Sequence, residues 1–221
     1  MRVTGYFTAR VIDGFQFRTA RYVPDAIKLL WERYGFVQFP TTAEEMLAQD
    51  KPMVFRHGKF KHGEVDTVIL ALTVYPSMIA VDVATTTDDA EAVVDDLGEW
   101  GKRVLDAELL PMKERQYVSQ LEVKLELDLG KSFPALDGIG AMISGFLRQY
   151  RDADTPAIPF GVSALALTTD PVSVLASSDF RLERRVNISY ESQLYFSQAP
   201  LKTGDHILVL DKLERALLAG A

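Results

Sequence analysis

Cysteine is absent from the 221 residues. Disulfides, zinc ribbons, iron–sulfur ligation and thiol nucleophiles are excluded with it. Histidine is scarce at three residues, which thins the pool of general bases and metal ligands. Long apolar runs are missing too. The most apolar stretch, Val68 to Val81, is interrupted by Thr73, Tyr75, Pro76 and Ser77, well short of the ~20 apolar residues a spanning helix needs. Met1 to Ile12 lacks the apolar core of a secretory leader. The expectation is a cytoplasmic protein that makes no use of a membrane. There is no G-x-S-x-G elbow, H-E-x-x-H pair, EF-hand loop or kinase signature, and no stretch carries a family signature.

What is present is an ordinary globular composition, 48% hydrophobic and 25% charged, with a net charge of −7. A chain of this length buries roughly 70% of the surface its unfolded form exposes, so a core can form without staples. A negative total argues against nucleic acid, whose phosphates are met by Lys and Arg. The charge is unevenly placed. Residues 1–61 carry ten basic and six acidic groups, whereas residues 62–101 carry nine acidic groups and no Lys or Arg.

The hydrophobic period alternates between strand and helix. Arg2 to Ile12 reads as a strand, Asp13-Gly14 as a turn and Phe15 to Arg21 as a returning arm. Pro24 opens a helix with Ile27, Leu30, Trp31 and Tyr34 on one face and Gly35 at its end. Thr41 or Thr42 with Glu44 and Glu45 resembles a capping box. Met53–Phe60, Val65–Tyr75 and Ser77–Ala84 read as strands, with a turn within His57–Gly63. A helix follows, with Asp88, Asp89 and Glu91 in its first turn, where the macrodipole favours anions. Leu121 to Leu129 alternates as a strand with one wet face. Pro134 to Arg151 reads as a helix that buries Leu136, Ile139, Ile143, Phe146, Leu147 and Tyr150. Arg151–Pro159 reads as a loop, Phe160–Thr168 as a strand and Asp170-Pro171 as its break. Phe180 to Ser197 would span ~60 Å if straight, so a bulge, a bend or two strands is expected. Leu182, Val186, Ile188, Tyr190, Leu194 and Phe196 would share its inner face. A last helix sets Ile207, Leu210, Leu213 and Leu217 inward. The expected class is α+β: a mostly antiparallel sheet with about four main helices on one face. It forms one domain over 1–221, with sub-lobes 1–110 and 111–221 as the alternative.

Candidate chemistry is sparse. Asp82, Asp88 and Asp89 stand where a strand end meets a helix start and are the metal candidates, against a capping role for the last two. His57 and His62 would chelate a cation if a hairpin brought them together, but Arg56, Lys59 and Lys61 flank them. Gly130-Lys131-Ser132 resembles the end of a phosphate loop, yet the required glycine is replaced by Leu125. Arg181, Arg184 and Arg185 cluster. By alternation Arg184 faces the core side and needs a partner, as an anion clamp or a structural ion pair. His206 falls in the first turn of the last helix, with Tyr190 or Tyr195 as conceivable neighbours. No cofactor is expected. The leading expectation is a non-catalytic interaction or assembly protein that binds a protein partner or itself through segregated charges. Its contacts would come from Arg56, Lys59, Lys61, Asp95, Asp96, Arg181, Arg184 and Arg185. The alternatives are a metal-dependent or phosphate-handling enzyme built on the aspartates, and a ligand-binding regulatory domain.

Overall fold

The computed structural model describes residues 1–14, 23–47, 51–105, 115–151, 160–170 and 179–219. The arm expected over Phe15–Arg21, the loop over 152–159 and the break at Pro171 lie outside them. Among the described residues are five α-helices and eight strands, and the class is α+β. In chain order they are β1 (Arg2–Gly14), α1 (Val23–Tyr34), α2 (Ala43–Leu47), β2 (Met53–His62), β3 (Val65–Val74), β4 (Met78–Val83) and α3 (Thr87–Val104). There follow β5 (Gln116–Lys124), α4 (Asp137–Gln149), β6 (Ala164–Leu167), β7 (Phe180–Arg184), β8 (Leu194–Ala199) and α5 (Thr203–Ala219). The chain forms two compact units. A larger one holds Tyr6–Gln120 and Ala199–His206, and a smaller one holds Met1–Gly5, Leu121–Gln198 and Ile207–Ala221. Strands β1, β5 and β8 and helix α5 contribute residues to both.

In the larger unit the strand order is β2-β3-β4-β1-β5, with antiparallel pairing in β2–β3, β3–β4 and β4–β1. Asp13 and Gly14 pair with Ile79 and Met78, so the expected turn is the end of the first strand. The turn after β2 falls at Gly63, with φ at +62°. Both His57 and His62 therefore belong to β2, and no hairpin folds one onto the other. The local signals at the helices hold. Gly35, at φ +59°, ends α1 and donates its N–H to Trp31 O at 2.8 Å. Thr42 and Glu45 form a reciprocal cap on α2. Thr86 and Asp89 do the same on α3, which satisfies donors the first turn cannot pair internally. The inner faces of α1 and α3 (Ile27, Leu30, Val93, Val94, Leu97 and Trp100) close over Val11, Ile69, Leu72, Ile79, Val81 and Val83. Trp31, expected in that stripe, is exposed. Phe36 stacks at 5.2 Å on Phe55 and 5.7 Å from Tyr34. Gly58 leaves room for it, since a Cβ there would lie 2.5 Å from the Phe36 ring.

In the smaller unit the order is β1-β5-β8-β7-β6. Strand β5 begins before Leu121 and ends at Lys124, yet Leu125, Leu127 and Leu129 stay buried beyond it. The run over 180–197 is two antiparallel strands, β7 and β8. Between them lie a 3₁₀ turn at Tyr190–Ser192 and two left-handed residues, Asn187 (φ 63°) and Gln193 (φ 53°). Val186 is exposed rather than inward, and Tyr195, Ser197 and Ala199 are the buried residues of β8. Leu210 of α5 is buried, and its neighbour Glu214 accepts the Glu126 N–H at 2.8 Å and the Met1 ammonium. A 3₁₀ turn at Pro134–Leu136 leads into α4. Here the structure reverses an expectation. The apolar stripe of α4 is outside, and Gly140 is the buried residue of the helix. A Cβ at Gly140 would sit 2.5 Å from Phe160 O, so α4 docks on the chain entering β6 through its small residue.

Candidate functional site

Four groups of the acidic segment, Asp82, Glu91, Asp95 and Asp96, hold basic partners inside the larger unit. Asp82 takes Nε and Nη2 of Arg10 at 2.6 and 2.9 Å. Asp96 receives Arg33 and the Tyr34 hydroxyl, the latter at 2.7 Å. Burial, reinforced by Asp96, pushes the Tyr34 phenol upward. Arg115 reaches Asp13 at 2.7 Å and Asp95 at 2.6 Å, with Glu91 at 3.6 Å. Burial alone would lower its pKa, but the hydrogen bonds to Asp95 and Asp13 win and raise it. Glu91 also takes Lys202 Nζ at 2.7 Å and the Tyr117 hydroxyl at 2.6 Å. Burial would raise the Glu91 carboxyl, yet these donors hold it below the usual range. A cavity of about 300 Å³ under Arg115 and a groove of about 490 Å³ along α3 share Asp95 and Glu99 in their linings.

The metal candidates are not assembled into a site. Asp82 is held by Arg10, and Asp89 caps α3 through Thr86. Asp88 lines the groove on the exposed side of the same helix. Among the described residues no group of three His, Asp or Glu side chains is placed to hold an ion. His206 is fully buried in the first turn of α5, its Nδ1 2.8 Å from Ser119 Oγ. Burial pushes its pKa down from 6.5 to about 4, so the ring is neutral at neutral pH.

The basic candidates separate. Arg56, Lys59 and Lys61 are exposed along β2, the outermost strand of the larger unit. In the smaller unit Arg181 is exposed on β7, and Arg185 faces Glu122 at 3.2 Å. The Arg184 side chain is 7% exposed and is paired with Asp128. It donates to Val162 O and Tyr190 O, each at 3.3 Å, and lies over the Tyr190 ring at 4.2 Å. The turn at Gly130 closes the same cluster, since Asp128 Oδ1 accepts the Gly130 N–H at 2.9 Å. Arg184 thus serves in a structural ion pair, with Nε, Nη1 and Nη2 each donating within the smaller unit.

What the charge reading missed is apolar. Leu136, Ile139, Met142, Ile143, Phe146 and Tyr150, on and around α4, are 38–76% exposed. At 100° per residue they fall within about one third of the helix circumference, and Asp137 and Arg148 lie on the opposite side. Strand β6 is the last strand in the smaller unit's order, and the chain leading into it packs on α4 where Phe160 meets Gly140. Leu165 and Leu167 pair with Leu182 and Phe180, and cross-strand partners share a face. They therefore continue the buried side of β7 outward, but Leu167 is 59% exposed. From Phe160 to Thr169 no residue is charged. The signal was legible as the period of α4, but the period does not say which side faces the protein.

No family model matches the chain, and no curated protein matches it.

Proposed function

We propose that the protein is a non-catalytic interaction or assembly protein of the cytoplasm whose contact surface is the apolar face of α4 together with the open edge of β6. The observation that carries this reading is the exposed stripe of six large apolar side chains from Leu136 to Tyr150. Contiguous apolar patches of several hundred Å² mark sites of association on soluble proteins. A cytoplasmic setting accords with a chain that has no cysteine to oxidise. No helix among the described residues is long and apolar enough to cross a membrane. Association through opposite charges draws less support. Asp82, Asp95, Asp96 and Glu91 already hold Arg10, Arg33, Arg115 and Lys202, and a charge so paired has little left to offer a partner. What favours the enzyme and ligand-binding alternatives among the described residues is the cavity at Arg115 and the groove along α3, where Arg115 is already held by Asp13 and Asp95.

The test places a photo-crosslinking phenylalanine analogue at Phe146 and, in a control protein, at Lys59 on the charged strand β2. Illumination in cells should give a defined adduct from position 146 and none from 59. Adducts from 59 alone, or from neither position, would refute the assignment of the surface.

A further inference from the structure

We infer that the partner is a second copy of this chain, docked about a two-fold axis that pairs β6 antiparallel with the partner's β6 and sets the two α4 faces together. The inference rests on the surface assignment above. Two observations on the fold point to self-pairing. The first is the contrast between the outer strands of the two units. Strand β2 carries Arg56, Lys59 and Lys61, has a left-handed residue at His57 and is bridged by Gln38. Charge, a backbone irregularity and cover are the usual means of keeping an edge from pairing with another chain. Among the described residues strand β6 shows none of them: its sequence is Ala-Leu-Ala-Leu, and no backbone group there pairs with its outer edge. It runs antiparallel to β7, so an antiparallel copy extends the alternation without a change of pattern.

The second is self-complementarity. A two-fold axis perpendicular to the sheet returns the same face of each sheet to the same side. Leu165 and Leu167 of both copies then meet across the axis in an isologous contact, and we place the two α4 faces beside them. No charged group lies in the apolar stripe of α4 or in 160–169, so like meets like without repulsion. The same neutrality offers nothing to a charged partner. The charges on the polar side of α4 are Asp137 and Arg148, far short of the Lys- and Arg-rich polar face of a helix that lies on a lipid surface. The area is sufficient. Six side chains about half exposed supply roughly 600 Å², and the β6 residues bring this near the ~800 Å² per subunit of a standard interface.

The experiment is sedimentation velocity on the full chain between about 1 and 100 μM, with Phe146→Asp and Leu167→Lys as separate variants. Both side chains are exposed, so the monomer fold should tolerate either change, and thermal melts followed by far-UV circular dichroism check that it does. The expected result is a concentration-dependent dimer whose dissociation constant rises at least about 30-fold in each variant, the loss of one interface hot spot. A dimer indifferent to both variants overturns the inference. A monomeric wild type overturns it as well, and the Phe146 crosslink then separates two cases. An adduct of another mass keeps the surface and changes the partner, whereas no adduct removes both. Phe146-dependent sedimentation of a monomer with phosphatidylglycerol vesicles would assign the face to lipid and also overturn the inference.

Discussion

Acidification should weaken the larger unit through one histidine. His206 is fully buried on α5 beside Ser119, and burial lowers its pKa from 6.5 to about 4. In the unfolded chain the ring takes a proton near its ordinary value, but in the folded chain it resists until far lower pH. The unfolded state therefore binds more protons between these values, and stability falls as pH falls. The contribution is fully present above pH 6.5 and declines toward pH 4. The shift corresponds to about 3 kcal/mol at about 1.36 kcal/mol per unit, with about 1.4 kcal/mol already lost near pH 5.5. Both tryptophans, Trp31 and Trp100, lie in the larger unit, so urea unfolding followed by tryptophan fluorescence reports the unit that holds the ring. The comparison is wild type against His206→Gln, which removes the titration and leaves the carboxylates common to both. The difference in unfolding free energy between the two proteins should shrink steadily as pH falls through this window. A difference that stays flat would refute the reasoning, as would an NMR titration of the His206 ring with a midpoint near 6.5.

Two further substitutions test the packing of each unit. Gly58→Ala places a methyl 2.5 Å from the Phe36 ring, which is buried and held by Tyr34 and Phe55. It should cost about 1–3 kcal/mol of unfolding free energy as overpacking, and an unchanged urea midpoint would show that the ring yields. Asp128→Ala strips the buried Arg184 guanidinium of its counter-ion and the Gly130 amide of its acceptor. It should cost about 3 kcal/mol, read from amide exchange over β7 and β8, and Arg184→Met in the same background should recover part of the loss.

Local chemistry was well written into the sequence, and its reach ended where contacts become long-range. The caps at Thr42 and Thr86 and the left-handed glycines at Gly35 and Gly63 depend on neighbours within a few residues, and each stands where such chemistry places it. The break between β7 and β8 was expected without a position. Its left-handed residues are Asn187 and Gln193 rather than glycine, so no strong turn marker shows. Alternation from Leu121 to Leu129 reported burial correctly and pairing wrongly, because Leu125, Leu127 and Leu129 pack inward after the ladder ends at Lys124. Period two is a statement about which side is dry, and hydrogen bonding is a separate matter. The α4 error has the same root. A helical stripe identifies an apolar face, but α4 meets its own unit at Gly140 against Phe160, where a large side chain cannot go.

Charge totals by segment carry a related ambiguity. Segment totals treat the chain as a line, whereas folding sets its segments side by side. Arg10 and Asp82 are neighbours across the β1–β4 ladder, and Arg33 on α1 meets Asp96 on α3. Part of the basic stretch, Arg10 and Arg33, and part of the acidic stretch, Asp82 and Asp96, are each other's partner. Such pairs are worth little when solvent-exposed, and in the interior desolvation offsets much of the attraction, although removing one partner of a buried pair is costly. The buried carboxylate Asp13 with Arg115 is accordingly a feature of the larger unit's interior order. What remains unsatisfied is then apolar. On α4 and β6 the sequence places large aliphatic and aromatic side chains in solvent with no charge among them. Water makes that arrangement unfavourable for an isolated chain, and association relieves it.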